Sequence, residues 1–258
     1  HLIQLARVAG LLHDICHGPF SHAFDHVVYK RIYGVNDGGH DIHRLKLVQT
    51  DLLKPYIENC GIDPHELIEI WGGDILFQNF EKSDRSPPRV DNKLGKYYGI
   101  IRNIVEGPLG ADRMDFTQRD AYYTGMQHLG TVPQFRIIKN SKVIEIEGVP
   151  RLTYSSKCIK DIIRTLDGRL NLYEEVYFHR TSMSATLLVE MMMEELCDEF
   201  DLVGMTLDPE KFLTLNDHRM FAMVFESKNA KVKELYDMLM NRNLPILVEE
   251  RQIGFTTS

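Results

Sequence analysis

The chain has 258 residues, 43% hydrophobic and 26% charged. That is enough apolar material to bury a core, so disorder as the main state is excluded. Lys and Arg number 30 against 37 Asp and Glu, a net charge of −7. This balance argues against broad coating of nucleic acid and requires any anionic ligand to meet a local cluster of cations.

From Leu2 to Leu12 nearly every residue is apolar or small, which predicts a helix buried on most sides. It runs into His13-Asp14 and then meets Gly18-Pro19, a pair that breaks or turns a helix. A second helix is expected over Ser21–Tyr29, and Tyr33–Gly39 is a loop by composition. Leu45, Val48, Leu52, Leu53, Tyr56 and Ile57 recur at helical spacing, and the polar, proline-containing stretch Glu81–Asn92 reads as a mobile loop. Tyr97, Ile100, Ile101, Ile104 and Val105 mark the next helix; Asp112–Tyr123 forms another after Gly107-Pro108 and Gly110. The pattern changes over Phe135–Tyr154, where a β-hairpin or a three-strand excursion is expected. Helical spacing returns from Ile159 to Phe200, with Met191–Met193 as core filler. Two more helices lie near Pro209–Glu226 and Lys231–Asn243, before a short strand at Ile246-Leu247-Val248.

With no internal repeat or low-complexity linker, the simplest reading is one mainly helical domain over 1–258, with a helical extension from about 200. The apolar run Leu187–Leu196 is broken by Glu190, Glu194 and Glu195, and no other approaches the roughly 18–20 residues of a membrane span. Cys16, Cys60, Cys158 and Cys197 form no CxxC pair, so neither a disulfide framework nor a cysteine zinc site is indicated. A reducing, intracellular setting, cytoplasmic or nuclear, is the expectation.

Histidine is the anomaly. Of eleven, seven lie in the first 43 residues: His1, His13, His17, His22, His26, His40 and His43. His13 and Asp14 are adjacent, a nitrogen and a carboxylate that a divalent cation could take together while keeping positions for water and a phosphate oxygen. Alone, that dipeptide is better read as a capping pair at a helix end. His17 follows His13 by four and His22 precedes Asp25 by three, spacings that share one face of a helix. A histidine beside a carboxylate has a raised pKa and can serve as a general acid near neutral pH.

The segment Leu11–Asp25, LLHDICHGPFSHAFD, resembles the HD-domain metal-dependent phosphohydrolases. It is most similar to the branch of deoxynucleoside triphosphate triphosphohydrolases that contains the SAM-and-HD-domain and bacterial dGTPase-like enzymes. Two later blocks, GADRMDFTQRDAYYTG at 110–125 and LYEEVYFHR at 172–180, match that branch in order. The resemblance implies a mainly α HD-domain fold with a small β-hairpin excursion near residues 135–154. It implies a divalent metal ion (Mn, Fe, Mg, Co, Ni or Zn) on His13, Asp14 and Asp112. His17, His22, Asp25 and His40 become the catalytic set; Arg113, Phe116, Asp120 and Arg180 bind substrate. His40-Asp41 matches the family's His-Glu pair, with His43 the alternative or a plain surface residue.

The family's metal site also has a histidine well upstream. The chain starts at His1, too close to His13 for that layout, and the expectation is that preceding helices carry that ligand and a phosphate-binding cation. Ser184 and Leu188 replace a histidine and a tyrosine of the nucleotide pocket, and Phe116 replaces another tyrosine, so chemistry transfers better than base specificity. The implied reaction turns a deoxynucleoside triphosphate into deoxynucleoside and inorganic triphosphate, in a dimer or tetramer. The alternatives are another HD activity, on a monophosphate, a cyclic nucleotide or another phosphoester, and a non-catalytic nucleotide-sensing module.

Overall fold

A computed structural model describes residues 1–72, 94–246 and 248. The loop expected at Glu81–Asn92 and Leu247 of the expected terminal strand lie outside the described residues.

Helix α1 (Leu2–Leu12) buries Leu5, Val8 and Ala9, one stripe at helical spacing. Ile3 and Leu11 are 73% and 79% exposed, so the helix is buried on one face rather than on most sides. The reason is that Pro64–Ile70 and Tyr98–Val105 cover only that face. The chain turns through 13–21 and re-enters a helix as α2 (His22–Phe24), a π-helical turn (Asp25–Tyr29) and α3 (Lys30–Tyr33), longer than expected and closed by Gly34 at φ +72°.

Helices α4 (Gly39–Leu47) and α5 (Lys54–Asn59) follow, so the apolar spacing over 45–57 spans two helices with turns between them. Helix α6 (Pro64–Ile70) starts at a capping box of Asp63 and Glu66. Next come α7 (Tyr98–Val105), α8 (Ala111–Tyr123) and α9 (Gln134–Lys139). Strands β1 (Ser141–Ile146) and β2 (Val149–Tyr154) pair antiparallel, Ser141 with Tyr154 through Ile146 with Val149. Glu147 and Gly148, both at positive φ, make the two-residue turn that suits the strands' twist. The excursion is therefore a hairpin preceded by a helix: Phe135–Lys139 is helical, burying Ile137 while Phe135 and Ile138 face outward.

Helix α10 (Ile159–Leu172), a second π-helical turn (Tyr173–Tyr177) and α11 (Arg180–Glu199) lead to α12 (Leu202–Leu207), α13 (Pro209–Phe212), α14 (Asp217–Glu226) and α15 (Ala230–Met240). Met192 and Met193 are core residues, as expected. Ile246 and Val248 are in no strand. Among the described residues no helix is long and apolar enough to cross a membrane.

Two large apolar clusters and two small ones, around Ile137 and around Leu172, organise these elements. One large cluster gathers Phe24, Val28, Met193, Leu196 and Met223; the other gathers Leu5, Leu67, Trp71 and Ile101. Leu53 packs against both large clusters, and two further segments feed both. Leu12 packs with the second and Cys16 with the first, while α4 sends Ile42 and Leu47 to the first and Leu45 to the second. His13, Asp14, His40 and Asp41 therefore sit at the seam between the clusters, held from both sides.

Candidate metal and active site

Helix α1 ends because His13 ends it. The His13 ring donates from Nδ1 to the Gly10 carbonyl at 2.8 Å, satisfying one of the carbonyls a helix terminus leaves open. That bond fixes Nδ1 as the protonated nitrogen and turns Nε2 outward, as metal-bound histidines are held. Because the helix stops at Leu12, His13 and His17 lie in the turn beyond it and do not share a helical face.

Nε2 of His13 lies 3.2 Å from Asp14 Oδ2 and 3.4 Å from Asp112 Oδ1. It is buried without a partner in hydrogen-bonding geometry. Asp112 arrives in the first turn of α8. A buried nitrogen facing two carboxylates calls for a cation; Asp112 first and Asp14 second push the His13 pKa up to about 10. Ligand atoms of the three residues all lie within 4.8 Å of one another. One nitrogen and two carboxylates suit a divalent ion and leave coordination positions open, so these residues fit a metal. His1 is turned elsewhere, its Nε2 2.8 Å from Glu66 Oε1.

Beside this cluster stands a second one centred on Asp25, 1% exposed at the start of the π-helical turn. Its carboxylate accepts from the His40 backbone N–H at 2.8 Å and from the His40 ring at 2.9 Å. His22 Nδ1 is 3.6 Å away and His17 Nδ1 3.9 Å. Burial alone would raise the Asp25 carboxyl, but His22 and His40 outweigh it and hold the group well below the usual carboxylate range. His22 is pushed up from its ordinary value chiefly by Asp25, with help from Asp37 3.5 Å away. His17 stacks on His40 with ring centroids 3.9 Å apart, and burial first, then the facing ring, lowers its pKa. His17, Asp25 and His40 are also close enough to share an ion, but both Asp25 oxygens are already engaged by His40. Of these two clusters, it is the His13 one that holds a buried nitrogen without a hydrogen-bond partner.

Close packing makes this arrangement possible at two glycines. A Cβ on Gly18 would sit 2.4 Å from the Phe24 ring, and one on Gly39 would sit 2.2 Å from Tyr29 Cβ. Between the histidines, Phe20 and Ser21 take φ +60° and +53°, strained for residues with side chains. The Phe20 N–H is held by Asp217 Oδ1 at 2.9 Å.

The remaining expected residues lie along α8 and beyond. Arg113 follows Asp112, close enough to Arg169 to depress its pKa after burial has done so. Asp120 accepts the Tyr177 hydroxyl at 2.5 Å, and Phe116 stands edge-on to the Tyr177 ring. These three form a group of their own. Arg180 is exposed at the start of α11. On that helix Glu190 meets His26 and Glu194 meets Arg31, so it runs alongside the His22–Tyr33 segment in the same direction, with its Arg180 end on the His22 side. His43 is corrected: it is 5% exposed, bonded to Tyr33 and packed on Phe212, a core residue rather than a surface one.

Sequence reasoning passed over Asp37, Tyr177, Arg44 and Glu106. Tyr177 stands in the block 172–180, where a polar aromatic three residues before Arg180 was a usable signal. Arg44 carried a weaker one, four residues after His40 on the same helix.

No family model matches the chain. The chain is 29% identical over 96% of its length to a Dictyostelium discoideum protein named deoxynucleoside triphosphate triphosphohydrolase SAMHD1 homolog, covering 44% of that protein. It is 24% identical over 97% of its length to human deoxynucleoside triphosphate triphosphohydrolase SAMHD1, covering 42%. A protein of Acanthamoeba polyphaga mimivirus named for an HD domain, L394, is 27% identical over 89% of the chain, with 46% of it covered. The chain thus spans less than half the length of these curated relatives. Over nearly its whole length it resembles HD-domain proteins of the deoxynucleoside triphosphate triphosphohydrolase type.

Proposed function

We propose that the protein is a divalent-metal phosphohydrolase that splits a deoxynucleoside triphosphate into deoxynucleoside and inorganic triphosphate. The observation that carries this reading is the juxtaposition of a cation-seeking cluster, His13, Asp14 and Asp112, with a proton-bearing histidine, His22, backed by the buried Asp25. A metal ion on the first cluster would supply charge for the α-phosphate and lower the pKa of a bound water.

The chain's own residues supply the rest. His22 points Nδ1 at Asp25 and Asp37 and is 62% exposed, so Nε2 carries the proton for the departing 5′-oxygen. His17 and His40 hold phosphate oxygens, stacked so that Asp25 orients the His40 ring. Arg113 and Arg180 neutralise the remaining phosphate charge. Asp120, fixed by Tyr177, takes the sugar 3′-hydroxyl, with Phe116 beside it. The same reading expects the chain to assemble as a dimer or tetramer.

The test is His22→Ala. A 5′-alkoxide is a poor leaving group, so losing its acid should cut turnover by roughly 10²–10⁴-fold. Metal content and nucleotide affinity should stay at the wild-type level. Wild-type turnover in the variant would remove His22 from the reaction.

A further inference from the structure

We propose that Arg44, paired with Glu106, is the positioning residue that holds the two halves of the metal cluster in register. This rests on the reading of His13, Asp14 and Asp112 as cation ligands.

Arg44 is 3% exposed, and a guanidinium so buried persists only when its charge is answered. Its Nη1 donates to the His13 carbonyl and to Glu106 Oε1, the latter at 2.8 Å, and its Nη2 meets Asp41 Oδ1 at 2.8 Å. Its Cζ lies over the ring of the buried Trp71, 4.3 Å from the ring centroid. Three acceptors thus come from three segments: the turn that carries His13-Asp14, the helix that carries His40-Asp41, and the end of α7.

The third tie reaches Asp112 through a short, stiff connection. Glu106 ends α7, and α8 begins with Asp112 in its first turn. Between them the Gly110 N–H donates to the Gly107 carbonyl at 2.8 Å. The turn is packed so closely that a Cβ on Gly107 would lie 2.3 Å from the Asn103 carbonyl oxygen, and one on Gly110 2.5 Å from that of Val105. A displacement of Glu106 therefore carries over to Asp112, because the turn has no slack to absorb it. On the other side, the His13 backbone is held by Arg44 while its ring is held by Gly10. One planar fork fixes the spacing between the His13 nitrogen and the Asp112 carboxylate, touching neither ligand atom.

Outer-sphere partners of this kind typically change metal affinity by about 10–100-fold. The experiment is Mn²⁺ binding by titration calorimetry and electron paramagnetic resonance, on wild type, His13→Ala, Arg44→Lys, Arg44→Met and Glu106→Gln, with thermal unfolding recorded for each. Glu106→Gln keeps shape and loses charge; Arg44→Lys keeps charge and loses the fork. Each should fold and bind Mn²⁺ about 10–100-fold more weakly. Combining Glu106→Gln with Arg44→Met should add little to either alone. A purely structural role would lower the melting temperature and leave affinity unchanged. If Arg44→Met does not fold, Arg44→Lys and Glu106→Gln decide. Wild-type affinity in both overturns the proposal, provided His13→Ala abolishes binding. No Mn²⁺ binding by wild type would overturn the ligand reading itself, and this inference with it.

Discussion

Gly39→Ala puts one methyl group where α4 crosses the Asp25 segment. The new Cβ would lie 2.2 Å from Tyr29 Cβ, 2.9 Å from Tyr29 Cγ and 3.2 Å from Asp25 Oδ1. Carbon atoms rest at about 3.5–4.0 Å, so the overlap exceeds about 1 Å. Tyr29 cannot yield: it is fully buried, its hydroxyl is bonded to the Cys16 carbonyl at 2.7 Å, and its ring packs on Phe24. The start of α4 must retreat instead, and it takes His40 with it. A retreat of about 1 Å breaks the 2.8 Å bond from the His40 N–H to Asp25. Overpacking of this size costs about 1–3 kcal/mol, or roughly 2–10 °C in melting temperature for a chain this long. Misplacing a reacting group by about 1 Å costs roughly 10²-fold in turnover. The assay is thermal unfolding and deoxynucleoside triphosphate turnover beside Gly99→Ala, whose added Cβ meets nothing within 4 Å and should leave both intact. Wild-type turnover and melting temperature in Gly39→Ala would refute the packing argument.

Tyr177→Phe frees the Asp120 carboxylate, and the loss of a hydrogen bond to a charged group, about 1.5 kcal/mol, should raise KM roughly tenfold with little change in kcat. An unchanged KM would separate Asp120 from the sugar. His43, held neutral by burial down to about 4, makes stability depend on pH. Between about 6.5 and 4 the unfolded chain takes up a proton that the folded chain refuses, so stability falls as pH falls, by about 3 kcal/mol in all. His43→Gln should flatten that part of the curve measured by urea unfolding; parallel curves would contradict the account.

What the sequence made legible follows physical cause. A turn between α1 and α2 was readable because Gly18-Pro19 does not continue a helix, although α1 already ends at Leu12, and the Tyr33–Gly39 loop because its composition suits little else. The break at 48–53 was not, since Leu45, Val48 and Ile57 are all buried at helical spacing and only tertiary packing separates α4 from α5. Ile137-Ile138 suggested a strand, but burial of Ile137 alone rewards a helix as well. At the site, local spacing paired His22 with Asp25, whereas the shorter contacts of Asp25 are to His40, fifteen residues away in sequence. The link from Arg44 to Glu106 spans sixty-two residues and leaves no periodic trace in the chain.

The central claim is tested most directly by the products. With the four deoxynucleoside triphosphates supplied separately with Mg²⁺ or Mn²⁺, at least one should yield free deoxynucleoside and intact triphosphate, resolved by ion chromatography. Release of orthophosphate or pyrophosphate in place of intact triphosphate would contradict the claim and leave the same metal cluster serving another phosphoester reaction. Nucleotide binding with no turnover would contradict catalysis itself.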